Sequence, residues 1–154
     1  ARLLPNLLLW RAPADQQDAK LLQDLGVTHV LNCAAGDCDA SSLLPAHIVL
    51  HGLRARDADG YDLLGEHLQN ATAFLDDALA VPGAVALVHC QQGMNRSAAL
   101  AMAYAVQSRG VDLASVLLHT LEQRPSVLTN ASFVEQLVQL AAQQSHASAA
   151  RKKK

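Results

Sequence analysis

Apolar residues along the chain fall into short runs, separated by longer stretches in which they recur at helical spacing. Leu3 to Trp10 reads as a first strand, apolar enough to be largely buried. Asp15 then caps a helix through Leu25, with Leu21, Leu22 and Leu25 on one face and Gly26 as its stop. Val27 to Cys33 is the next strand, and Ala34 to Pro45 a polar, small-residue loop carrying Asp37 and Asp39. His47 to His51 is a further strand, and Leu53 to Asp62 a charged loop. A helix capped by Asp62 runs to about Ala80, with Leu64, Leu68, Ala71, Leu75 and Leu79 at helical spacing. Pro82 and Gly83 end it and lead to the buried strand Val85 to Val88. Three helices follow: Arg96 to Arg109 stopped by Gly110, Asp112 to Gln123 capped by Asp112, and Asn130 to about Gln144. Strands alternate with helices early and helices dominate late. That order predicts one compact α/β domain, a short and mostly parallel central sheet flanked by helices, over residues 1–144. Residues 145–154 read as a frayed basic tail.

Composition narrows the function. The chain has 154 residues, one domain's length, and its 3% aromatic content leaves Leu, Ala and Val to fill the interior. No apolar run approaches a membrane span. The opening ten residues, broken by Pro5 and Asn6, make a poor signal peptide. The chain does not begin with Met, as expected of a domain cut from something longer. The net charge of −2 includes the four positive charges of Arg151 to Lys154, so residues 1–150 carry −6, with Lys20 their single lysine. Nucleic acid is not an expected partner of so acidic a body. Three cysteines, Cys33, Cys38 and Cys90, form neither a disulfide framework nor a zinc pattern. They suit a reducing compartment, hence a cytoplasmic location with the nucleus as the alternative. Six of the histidines, His29, His47, His51, His67, His119 and His146, show no metal-ligand spacing, and no metal or cofactor is expected.

The chemistry concentrates in residues 85–97, Val-Ala-Leu-Val-His-Cys-Gln-Gln-Gly-Met-Asn-Arg-Ser. Cys90 stands in a tight turn at the end of a strand, facing Arg96 at the start of a helix. Backbone N–H groups at a helix N-terminus form an anion site, and the same field favours a thiolate over a thiol. Arg96 offers a planar fork for two phosphate oxygens, and Gly93 lets successive N–H groups converge. Together, residues 91–96 (Gln91, Gln92, Gly93, Met94, Asn95, Arg96) read as a phosphate cradle with a nucleophile at its floor.

The string His-Cys-x-x-Gly-x-x-Arg-Ser, between a strand and a helix, resembles the signature of the cysteine-dependent protein tyrosine phosphatases, particularly the small dual-specificity branch. The resemblance extends from the first strand to the last helix and includes Gly26 to Asn32. It implies a metal-independent phosphatase acting on a phosphorylated protein through a phosphocysteine intermediate. Phosphotyrosine is the implied substrate, with phosphoserine and phosphothreonine as further candidates for a shallow site. The leaving oxygen then needs a proton. Of the acidic residues on loop 53–62, Asp57, in Ala55-Arg56-Asp57 and 33 positions before Cys90, matches the family's acid best. Asp59 is held in reserve, its plainer reading being a turn residue before Gly60. By the same resemblance Ser97 assists departure of the thiolate, His89 supports the loop, and Asn130 supports the site or simply caps its helix. Cys33 reads as a buried small hydrophobe. A reversible disulfide with Cys90 is the sharper alternative, with Cys38 as competitor.

Three residues depart from the pattern. Trp10-Arg11 stands where many relatives have glycine and serine. Asn95 precedes Arg96 where most dual-specificity phosphatases have serine, and in this it resembles the RNA 5′-triphosphatases of mRNA capping. Against that alternative stand the acidic body and the absence of lysine from the cradle, which also weighs against a phosphoinositide substrate. A non-catalytic phosphate-binding module is a further alternative, though the cysteine, the arginine and a candidate acid are all in place.

Overall fold

The computed structural model describes residues 1–153; Lys154, the last residue of the basic tail, lies outside them. Among the described residues the chain forms β1 (Arg2–Leu4), β2 (Leu7–Trp10), α1 (Gln16–Asp24), β3 (His29–Asn32), a 3-10 turn (Ser41–Leu43), β4 (Val49–Gly52), α2 (Leu63–Leu79), β5 (Ala86–His89), α3 (Arg96–Arg109), α4 (Leu113–Gln123) and α5 (Ala131–Lys152). The strands make one sheet in the order β1-β2-β5-β3-β4, parallel except for the antiparallel β1–β2 pair. The α/β expectation holds.

Side chains alternate across the sheet and separate two cores. Leu7, Leu9, Leu31, Ala86 and Val88 point into the larger one, beneath α2 to α5, while Leu8, Val30 and Leu87 point to the smaller one, beneath α1. Helix α3 is enclosed. Its residues from Arg96 to Val106 are all buried, and five of them are alanines, small enough to let it lie close to the sheet and to α2, α4 and α5. The parallel strands also end level, since Trp10 pairs with His89, Asn32 with His89, and Asn32 with Gly52. The segments after β2, β3, β4 and β5 therefore leave one edge of the sheet together, the place where open α/β sheets bind ligands.

Several expected boundaries shift. Leu3 to Trp10 is not one strand but a hairpin, because Pro5 and Asn6 make a turn that folds β1 back on β2. β3 begins at His29 rather than Val27, and β4 begins two residues later and ends one residue later than its apolar run suggests. On α1 only Leu22 of the three leucines is buried, while Leu21 and Leu25 remain exposed. The buried stripe is Asp18, Ala19 and Leu22, and Asp18 is tolerated there because Arg11 and the Ala14 N–H bond its carboxylate. The tail expected to fray from residue 145 instead continues α5 to Lys152, as its alanine and glutamine content favours.

Phe133 on α5 is fully buried in the larger core. Truncating it as Phe133→Ala is expected to cost about 3–5 kcal/mol, read as a lower urea midpoint at unchanged slope.

Candidate active site

Strand β5 is buried along its whole length and delivers Cys90 to the start of the cradle. Gly93 makes the turn possible on two counts. Its φ is +68°, and a Cβ there would lie 2.5 Å from the Trp10 carbonyl oxygen and 2.8 Å from the Arg11 nitrogen. The departure at Trp10-Arg11 thus forms the wall behind the cradle. Arg11 stacks 4.4 Å over the Trp10 ring and pairs with Asp18 at 2.7 Å, pinning that wall to α1. Three further bonds take the cradle's carbonyls: the Ala12 N–H donates to Gln91 at 3.1 Å, Arg124 Nη2 to Gln92 at 2.9 Å, and the Leu128 N–H to Met94 at 2.8 Å. With these carbonyls bonded by neighbouring segments, the N–H groups are left to converge on the nucleophile.

Cys90 Sγ lies 3.1 Å from Ser97 Oγ. Burial alone would push its thiol up, but the Ser97 hydroxyl, the backbone N–H groups of Ser97 and Gly93, and the charge of Arg96 together outweigh it. The net result is a thiol below its ordinary value, hence a better source of thiolate. His89, one residue earlier, is 1% exposed; burial lowers its value, and Nδ1 bonds the Cys90 carbonyl at 3.0 Å, so a neutral ring braces the turn.

Arg96 is buried as well, and its guanidinium is held on one side only. Nη1 donates to the Ala55 carbonyl at 3.0 Å and to Asp37 Oδ2 at 2.5 Å, whereas the buried Nε has no partner. Burial would lower the arginine's value, but Asp37 and the Cys90 charge raise it above normal, keeping a cation under the cradle. Asp37 was not singled out from the sequence. Asn32, at the end of β3, positions it: Asn32 Oδ1 accepts the Ala34 N–H and Nδ2 donates to the Cys38 carbonyl, so the loop turns back over Arg96. The available signal was its place just after a strand, at the edge where a parallel sheet gathers its ligand groups.

Across the opening stands Asp57. Its Oδ2 accepts from Asn95 Nδ2 at 3.0 Å and its Oδ1 from Asn130 Nδ2 at 2.9 Å. Asn130 serves both readings at once, because its Oδ1 also caps α5 by accepting the Ser132 N–H at 3.1 Å. Asp62 caps α2 through the Gly65 N–H, and Asp59 stays outside the site. A cavity of about 710 Å³ is lined by Asp37, Asp57, Cys90 and residues of the cradle. All three cysteines are free thiols. Burial pushes the Cys33 thiol well up and raises Cys38 as well, which leaves Cys90 the reactive one. Among the described residues, no group of three His, Cys, Asp or Glu side chains is arranged to hold a metal. The assembly can bind a tetrahedral dianion, attack it with sulfur, and exchange a proton from the opposite side.

Comparison with known proteins gives the same picture. The chain is 34% identical to the mouse protein phosphatase Slingshot homolog 3 over 95% of its own length but only 22% of that protein's. It is 32% identical to mouse dual specificity protein phosphatase 13B, over 86% of this chain and 68% of that one. The crystal structure of human DUSP28 superposes with a TM-score of 0.79 at 28% identity, covering 94% of this chain and 98% of that one. A family model for the dual specificity phosphatase catalytic domain matches residues 9–143, a span that contains Cys90, Arg96 and Asp57 together with the strands and helices that hold them. This chain belongs to the dual-specificity phosphatase family.

Proposed function

We propose that this chain is a protein phosphatase that hydrolyses phosphotyrosine, and phosphoserine and phosphothreonine as well, through a phosphocysteine intermediate. The observation that carries the reading is a depressed Cys90 thiol at the floor of a cradle whose arginine is already oriented and whose opening holds a bonded carboxylate.

The ester phosphate enters with its oxygens on the cradle N–H groups and on the unpartnered side of Arg96. A lone pair of Cys90 Sγ forms the S–P bond while the P–O ester bond breaks. The leaving oxygen takes that electron pair and a proton from Asp57. Asp57, now a carboxylate, accepts a proton from water as the water oxygen attacks phosphorus, and the S–P pair returns to Cys90. Ser97 Oγ stabilises the departing thiolate. Side chains and backbone of the chain supply every charge-stabilising group these two steps require.

The alternatives are less well supported. Asn95 turns its side chain away from the cradle toward Asp57, so it makes no case for an RNA 5′-triphosphate. A module that only binds phosphate has no use for a depressed thiol. A reducing compartment, cytoplasmic or nuclear, is the setting in which Cys90 would stay reduced.

The wild-type chain is expected to release phosphate from a phosphotyrosine peptide with EDTA present. Cys90→Ser should abolish that release while inorganic phosphate still binds; undiminished turnover by the serine variant would refute the scheme. Ser97→Ala removes the hydroxyl that lowers the Cys90 thiol and keeps the backbone N–H of residue 97. With the hydroxyl's share lost, the thiolate forms only at higher pH and the acidic limb of kcat/KM should move upward.

A further inference from the structure

Asn95 occupies the N-cap of α3, a position where asparagine ordinarily bonds the first N–H groups of its own helix. Here it makes no such bond. Its side chain, in a residue only 8% exposed, crosses to the opposite side of the opening and is fully engaged there. Nδ2 donates to Asp57 Oδ2 at 3.0 Å and to Thr129 Oγ1 at 3.1 Å, while Oδ1 accepts the Asn130 N–H at 3.0 Å and the Thr129 hydroxyl at 3.4 Å. The chemistry of the partners fixes the amide's orientation, because a backbone N–H only donates and a carboxylate only accepts. Asp57 itself is exposed on loop 53–62, which has no regular structure at that point. Two amides, one on each oxygen, are what hold it in place. Of the two, Asn95 also belongs to the cradle and adjoins Arg96, so it ties the acid to the loop that carries the nucleophile.

We propose that Asn95 is the positioning residue for the general acid, and that its hold on Asp57 sets how fast alkyl phosphates are cleaved relative to aryl ones. The inference rests on the reaction proposed above. Its logic lies in the leaving group. A tyrosine oxygen leaves as a phenoxide, the anion of an acid with a pKa of about 10. A serine or threonine oxygen leaves as an alkoxide closer to hydroxide, the anion of a far weaker acid. As sulfur bonds to phosphorus and the P–O bond breaks, the alkyl oxygen needs the Asp57 proton delivered in line, whereas an aryl oxygen tolerates a misplaced donor. Positioning is therefore worth most for the poorest leaving group. Asn95 also leaves the N-terminal N–H groups of α3 uncapped by its side chain, free to face an anion.

The test compares kcat/KM for a phosphothreonine peptide with that for an aryl phosphate carrying a good leaving group, since kcat/KM covers phosphocysteine formation and is blind to its hydrolysis. Asn95→Ala and Asn95→Ser are assayed beside Asp57→Asn and the Asp57→Asn/Asn95→Ala double variant. The serine variant keeps a competent helix cap should the alanine variant fold poorly. The expected result is an alkyl-to-aryl ratio lowered about 10- to 100-fold in both Asn95 variants. Inorganic phosphate should inhibit them as it does the wild type, and the double variant should lose no more than Asp57→Asn alone. If Asp57→Asn lowers the ratio and the Asn95 variants lower both substrates equally, the positioning role is overturned and the proposed reaction stands. If Asp57→Asn itself lowers both equally, the assignment of the acid and the role of Asn95 fall together.

Discussion

The site depends on making backbone N–H groups converge where a strand gives way to a helix. Such a convergence is unstable by itself, because peptide dipoles pointed at one spot repel each other until an anion arrives. This chain holds it open from outside. The carbonyls of Gln91, Gln92 and Met94 are bonded by Ala12, Arg124 and Leu128, from two segments distant in sequence, and the Trp10 backbone presses against Gly93 where no side chain would fit. The level parallel strands bring the segment after β2 to the edge where the cradle lies, and the connection between α4 and α5 supplies the other. A thiolate at Cys90 is then an anion that the cradle accommodates.

Arg96 shows the same economy of preparation. Asp37 and the Ala55 carbonyl take one side of the guanidinium, so its plane is set before a substrate arrives. Nε remains buried and unpartnered. An unsatisfied buried donor costs about 1–3 kcal/mol, a penalty that a phosphate oxygen would relieve on binding. Part of the affinity for substrate is therefore stored in that unmet hydrogen bond, while the ion pair with Asp37 holds the other side of the guanidinium.

How legible all this is in the sequence depends on how local its cause is. Helix α3 matches its expected bounds because Gly110 and the apolar run before Cys90 mark it from both sides. Asp62, Asp112 and Asn130 announce their caps within three residues. Cys90, Arg96 and Ser97 are legible for the same reason. Asp57 needed the family resemblance to separate it from Asp59. The ties from Asp37 to Arg96 and from Asn95 to Asp57 span 59 and 38 residues, and no local pattern encodes them. The face of α1 escaped for a related reason: three leucines within five positions cannot reveal which stripe the sheet will meet. The turn at Pro5 and Asn6 was visible as a break, but not as a reversal of direction.

The enclosure of α3 bears on how such a protein can change over evolutionary time. Eleven consecutive helical positions are buried, and the strand before them is buried too, so the nucleophile loop has an entrance and an exit that tolerate almost no substitution. Variation that alters substrate choice is displaced to the segments leaving the other strand ends and to the stretch between α4 and α5. These segments meet the cradle through backbone bonds from Ala12 and Leu128 as well as through side chains such as Asp37 and Asp57, and their remaining positions lie outside the enclosed helix. The nucleophile is thus constrained by packing and Asp57 by its chemistry, whereas exposed positions beside them answer to neither, which lets one reaction be retained while its targets diverge.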